Sequence, residues 1–159
     1  GSQTVFEGKA IVFNSEEEAV NAIANREIDE GCVLIIRYQG PSCGFNELRT
    51  SLALLRGMDM DEKVAVVTDG GFFDFSRGLV VGLVSPQAQT DSGLALVRTG
   101  DTIEINLPKN KLNVDLKAKE LNQRKRQQET PELPLSDNLK AYSSLFSSAE
   151  EGCLIKKIQ

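Results

Sequence analysis

Apolar positions along this chain fall in blocks whose period switches between that of a strand and that of a helix. Residues 9–13 read as a short strand, and Ser15-Glu16-Glu17-Glu18 follows with a serine and a glutamate in capping-box spacing. Ala19, Val20, Ile23 and Ala24 then recur at helical intervals. Residues 32–38 are almost continuously apolar and β-rich, as expected of a strand covered on both faces. A loop at residues 40–44 leads to Phe45, Leu48, Leu52 and Leu55, which predict one face of a helix ending at Gly57. Residues 63–68 predict a second buried strand, and residues 79–84 are another apolar run.

Beyond Gly82 the pattern changes. Pro86 predicts a short helical turn, and residues 94–97 a strand. Residues 102–107 and 112–116 alternate with period two across a turn at 108–111, which is a hairpin with one wet face. Residues 117–128 predict a charged helix, and 130–135, with two prolines, an extended connector. Ser136 caps a last helix with Leu139, Tyr142, Phe146 and Ala149 on one face, running to Gly152. The order β-α-β-α-β, then strands, then helices predicts an α/β (α+β) domain over residues 3–159. Its mixed sheet is curled towards a barrel, with helices outside.

Between the two buried runs stands Asp69-Gly70-Gly71-Phe72-Phe73-Asp74-Phe75-Ser76-Arg77-Gly78. A polar, glycine-bearing loop between buried strands is where a scaffold presents chemistry. The 159 residues carry a net charge of -5, which argues against a nucleic-acid surface. The four cations within residues 119–126 read as the wet face of a helix. No apolar run approaches the roughly 20 residues of a membrane span, and no secretory signal is visible. Gly1-Ser2 resembles the scar of an expression tag, so the chain reads as a fragment of something longer.

The three cysteines, Cys32, Cys43 and Cys153, form neither a disulfide framework nor a zinc motif, which fits a reducing cytoplasm. Cys32 belongs to the core. Cys43, in its Gly-Pro-Ser loop, is either a small half-buried side chain or a reactive thiol or cluster ligand. The chain has no histidine, which removes the commonest general base and any Ser-His-Asp triad.

Several segments together resemble one family. They include Ile36-Arg37-Tyr38-Gln39-Gly40-Pro41, Val67-Thr68-Asp69-Gly70, Ser76-Arg77-Gly78-Leu79, Gly82-Leu83-Val84-Ser85-Pro86 and Arg98-Thr99-Gly100-Asp101-Thr102. In order and spacing the chain is similar to the C-terminal domain of the dihydroxy-acid and sugar-acid dehydratases. The resemblance implies a swivelling β/β/α domain that closes over a larger N-terminal domain, in the same or a separate chain, with a homodimer as a further assembly. It implies no cofactor on this domain alone. In the full-length family an iron-sulfur cluster acts as Lewis acid on the leaving 3-hydroxyl, a magnesium ion is present, and water is removed from a 2,3-dihydroxy acid to give a 2-keto acid.

Carried over residue by residue, the resemblance places Glu47 at a magnesium-ligand position, where a carboxylate suits the hard cation. The competing reading makes Glu47 an ordinary first-turn helix residue. In the same loop Gln39 replaces a family Glu and Ser42 a Lys. In the second loop the family reads Asp-Gly-Arg-Phe-Ser-Gly-Gly-Thr-Arg-Gly, and Phe73 stands where the family has its serine base. Asp74 and Phe75 replace two glycines. Asp74 and Ser76 are then the catalytic candidates, with Asp74 a replacement base, although Ser76 lies three residues beyond the family's base position. Ser76, Arg77 and Gly78 are the substrate-binding candidates. Loss of the base alone costs on the order of 10²–10⁴ in rate.

Two functions follow. One is a substrate-capping domain of a dehydratase-family protein, inactive alone. The other is a binding or regulatory domain that keeps the scaffold without the serine, with Phe72, Phe73 and Phe75 either docking a partner or filling vacated space.

Overall fold

The computed structural model describes residues 5–73, 76–88, 92–128, 136–147, 149–152 and 154. Strand β1 (Val5–Phe13) leads into helix α1 (Glu16–Ala24), then β2 (Val33–Ile36), β3 (Glu47–Leu48), α2 (Thr50–Gly57) and β4 (Ala65–Thr68). Next come β5 (Gly71–Phe72), β6 (Leu79–Val81), α3 (Gly93–Leu96), β7 (Thr102–Asn106), β8 (Lys111–Val114), α4 (Ala118–Gln127) and α5 (Asp137–Ser144).

Six strands form one mixed sheet in the order β6-β4-β2-β1-β7-β8. The β6, β4, β2 and β1 pairings are parallel, and the β1–β7 and β7–β8 pairings antiparallel. β1 divides its partners: residues 10–13 pair with β2, and residues 5–9 with β7. β8 and the segment after β6 stand at opposite ends of the strand order. Even so, Val84, Ser85 and Pro86 share the walls of one cavity of about 290 Å³ with Leu112, Asn113 and Val114. The sheet therefore curls into a half-barrel, in keeping with the mixed, barrel-like α/β architecture expected from the sequence.

β2 explains the near-continuous apolar run. Its side chains alternate between two cores: Leu34 and Ile36 meet Ala19, Ile23, Leu52 and Leu55 beneath the helices, while Val33 and Ile35 meet Val67, Leu94 and Ile103 inside the curl. All four β2 residues are buried. Each such side chain contributes about 1.5–3 kcal/mol by leaving water.

Ser15 caps α1 by accepting from the Glu18 N–H (3.1 Å), as the capping-box spacing predicts. The Glu18 carboxylate reaches one residue further back, to the Asn14 N–H (2.8 Å). Four sequence expectations are corrected. The apolar spacing from Phe45 does not open a helix: Glu47 and Leu48 pair in parallel with Gly71 and Phe72, and α2 begins only at Thr50. Its N-terminus is capped from a distance, because Glu16 Oε1 accepts from Arg49 N, Ser51 N and Ser51 Oγ at 2.9–3.0 Å. Residues 94–97 are no strand: Ser92 caps the short helix α3 through the Ala95 N–H. Among the described residues 85–88 no helical turn forms at Pro86. The last helix ends at Ser144, short of Gly152, with Phe146 beyond it. The proline-bearing connector at 130–135 and Cys153 lie outside the described residues.

α4 follows the sequence expectation closely, yet one of its cations turns inward. Arg124 is 6% exposed and forks onto Asp101 (2.5 and 2.9 Å), also reaching Leu96 O and Glu120. Burial alone would raise the Asp101 carboxyl, but the Arg124 guanidinium and the Arg98 N–H outweigh it and hold the group below its usual value. Arg37 grips α3 from β2's end, donating to the carbonyls of Leu94, Ala95 and Val97. Among the described residues no helix is long and apolar enough to cross a membrane.

Candidate functional site

In a parallel sheet, sites form outside the carboxyl ends of the strands. Here β2 and β4 deliver two loops to that edge, and one side chain joins them. Asp69, immediately after β4, is 1% exposed. Its carboxylate accepts from Gln39 N (2.9 Å) and Tyr38 N (3.2 Å) of the first loop and from Ala88 N (2.9 Å) of a third segment. Burial raises the Asp69 pKa, and the three backbone donors work against that rise by favouring the ionised form.

Further bonds tighten the junction. Gln87 Oε1 accepts from Ser42 N (3.2 Å), Asn46 N donates to Gln39 O (2.8 Å), Gly71 N to Asn46 O (3.0 Å) and Leu83 N to Gly70 O (2.9 Å). The segments around residues 38–46, 68–72 and 82–88 thus form one stitched unit. Gly70 is where they come closest: a Cβ there would lie 2.5 Å from both Asn46 O and Gln39 Cβ.

The solvent side of this unit carries a compact group. Glu47, on β3, ion-pairs with Arg49 (Oε2–Nη2 2.7 Å), and the Arg49 guanidinium lies 5.7 Å from the Phe73 ring centre. The Phe72 ring packs over Gly82 and remains 43% exposed; Phe45 (45%) and Leu83 (51%) are exposed alongside. Glu47 is therefore a strand residue tied to a cation, not a first-turn helix residue.

Of the other sequence candidates, Ser76 stays beside Phe73, and Arg77 and Gly78 lie elsewhere. Ser76 folds back on Phe73, its N–H (3.0 Å) and Oγ (2.7 Å) both donating to the Phe73 carbonyl. Leu79 pairs with Ala65 at the start of β4, so Gly78 stands level with Val64. Asp69 lies five residues further on, roughly 16 Å along the strand at ~3.3 Å per residue. Gly78 has a φ of 77° and packs so closely on the Asp61 carbonyl that a Cβ would overlap it. Arg77 shares a surface pocket with Arg56, Asp59 and Asp61. Asp69, Glu47 and Phe73 are thus brought to one strand edge, with Arg77 and Gly78 at the opposite edge. Asp74 and Phe75 lie outside the described residues.

Sequence reasoning gave Asp69 no role, although a signal was present: an acid that follows the apolar run 64–67 with only Thr68 between sits at the end of a buried strand, and a buried acid needs donors. Arg37 at the end of β2 is the same kind of signal.

Among the described residues no three His, Cys, Asp or Glu side chains converge to hold a metal. Cys43 is buried in a 3₁₀ turn (Pro41–Cys43) and burial raises its thiol pKa; Cys32 is buried and pushed up to about 11. The described residues therefore do not fit an iron-sulfur cluster. For magnesium they offer the single carboxylate of Glu47, already opposite Arg49. What the arrangement does offer is a rigid, partly apolar surface with one carboxylate and one guanidinium.

A family model described as dihydroxy-acid/6-phosphogluconate dehydratase C-terminal matches residues 1–153. A dihydroxy-acid dehydratase of Halothermothrix orenii is 41% identical over 158 residues, covering 98% of this chain and 28% of that protein. Dihydroxy-acid dehydratases of Pyrococcus furiosus and Clostridium botulinum are each 42% identical, over 154 and 155 residues, covering 96% of this chain and 28% of theirs. The chain spans about 28% of the length of the curated relatives it matches.

Proposed function

The chain belongs to the dihydroxy-acid/6-phosphogluconate dehydratase C-terminal family, and from that membership we propose that it is the substrate-capping part of a dehydratase-family protein. In this reading it closes over an active site formed mainly by the rest of the protein. The whole removes water from a 2,3-dihydroxy acid or sugar acid to give a 2-keto acid, and this chain alone turns over nothing.

The observation that carries the reading is the Asp69 junction. Three backbone segments are fixed at the carboxyl edge by one buried carboxylate. This holds Glu47 and Phe73 on one surface, and a cap needs such a pre-set face. The described residues hold no base within that group besides the paired Glu47, so proton removal falls to Asp74 or to a group of the covering domain.

The test is keto-acid formation by the full-length protein on a panel of 2,3-dihydroxy and sugar acids, with iron content measured in parallel. Turnover is expected, and Asp74→Asn is expected to lower it by about 10²-fold or more. A panel with no turnover, on protein holding its full iron complement, would refute the capping reading.

The second reading, a non-catalytic binding domain, is favoured by one specific contact. At the positions corresponding to the family's metal ligand and base, this chain has a carboxylate paired with Arg49 and a ring beneath that guanidinium. Under it, full-length protein gives no turnover, and Phe73→Ser with Phe72→Ser releases a bound partner without unfolding.

A further inference from the structure

Residues 136–147 and 149–152 pack on the fold without entering its core. No residue of α5 or of the turn Ala149–Glu151 is buried. The segment satisfies itself. Ser136 caps α5 by accepting from the Leu139 N–H (3.3 Å), and the Tyr142 and Phe146 rings stand 4.5 Å apart. Ser147 N donates to Leu154 O, and Leu154 N to Ser147 Oγ, both at 2.9 Å. Among the described residues its one ion pair, Lys140 with Asp137, is internal as well.

One apolar and one polar anchor hold the segment down. α5 lies against the 3₁₀ turn Pro41–Cys43, and a Cβ on Gly44 would stand only 3.0 Å from Leu139 Cδ2. Beyond α5, Glu150 Oε2 accepts from Ser85 Oγ, the one hydrogen bond among the described residues that leaves the segment. Leu139, Tyr142 and Leu145 stay between 37% and 49% exposed, so the apolar seat is shallow. Both anchors fall on loops that are already joined beneath, where Asp69 holds Tyr38 N and Ala88 N, and Gln87 Oε1 accepts from Ser42 N. The segment therefore spans from outside a joint that is bonded independently from inside.

Units that bury little surface open at lower free energy than the core they rest on. We infer that residues 136–147 and 149–152 form a strap that lifts off the turn Pro41–Cys43 as one unit, with Ser85–Glu150 as its clasp, while the Asp69 junction beneath stays folded. Closed, the strap lies over the turn in which Cys43 is 7% exposed. Lifted, it bares that turn and loosens the first loop, which leads into Glu47 at the site face.

Two buried thiols report the two kinds of opening: Cys43 in the turn, and Cys32 at the entry to β2. Iodoacetamide is added to the 159-residue chain at rising urea below its unfolding transition, and alkylation of each cysteine is followed by peptide mass mapping. Cys43 alkylation is expected to be nearly independent of urea, because lifting the strap exposes little surface. Cys32 alkylation should climb steeply, as for global unfolding. Ser85→Ala and Glu150→Gln, which each break the clasp, should speed Cys43 alkylation about fivefold, the effect of one lost hydrogen bond. Ile23→Val, in the core that holds Cys32, should speed Cys32 alkylation about fivefold and leave that of Cys43 unchanged. A Cys43 rate that climbs with urea in parallel with Cys32, rises equally in Ile23→Val, or stays unchanged in both clasp variants overturns the strap.

Discussion

Asp69 sets the character of the site more than any residue that points to solvent. Its carboxylate satisfies three buried N–H groups from two different segments. Asp69→Ala leaves all three unpaired and is expected to cost about 3 kcal/mol or more in denaturant unfolding. Burial raises its pKa from the usual 3.8, so the folded chain holds this proton more tightly than the unfolded one. Its titration therefore contributes stability below pH 3.8 that is lost as pH rises through the raised value. Measured against the non-titrating Asp69→Asn across that acidic window, the unmodified chain should lose ground as pH increases. A flat difference would show that the three donors cancel the burial effect. The sequence displayed the residue and its loop but not its role, because the donors come from residues 30 and 19 positions away. The opposite holds for Phe73, whose departure from the family's serine is visible in the sequence alone, while the Arg49 guanidinium over its ring required three dimensions.

Among the elements, those whose signals are local were legible. α1 carries its own cap in Ser15, α4 its charge pattern, and β2 its unbroken apolar run, so each falls close to where the sequence places it. β3 and α2 were misread because Phe45, Leu48, Leu52 and Leu55 repeat at helical spacing across two elements. The true start of α2 is set by a glutamate on α1, about 33 residues earlier. Glu16→Ala is expected to lower stability by about 1–2 kcal/mol, the loss of an N-cap, and Glu16→Gln by less. Thermal unfolding of the two variants checks this; equal stability of Glu16→Ala and the unmodified chain would remove Glu16 as the cap. α3 was read as a strand because four apolar residues carry no period of their own. Its helical turn is fixed by Ser92 at one end and by Arg37 gripping its carbonyls at the other.

At the scale of the molecule, the curled mixed sheet and the family are both readable from the sequence, and the activity is not. The reason is physical. The chain covers about 28% of the length of its relatives, and its described residues bring together one paired carboxylate and no metal cluster at the strand edge. The central claim is that the face fixed by Asp69 covers a dehydratase site and that the ring of Phe73 occupies the place of the proton-accepting hydroxyl. The most direct measurement is the rate of 2-keto acid formation by the full-length protein before and after Phe73→Ser. On this account the substitution, made in the Asp74→Asn background, raises the rate by about 10²-fold or more, the size of a restored general base. An unchanged rate in a folded, iron-replete variant would contradict it.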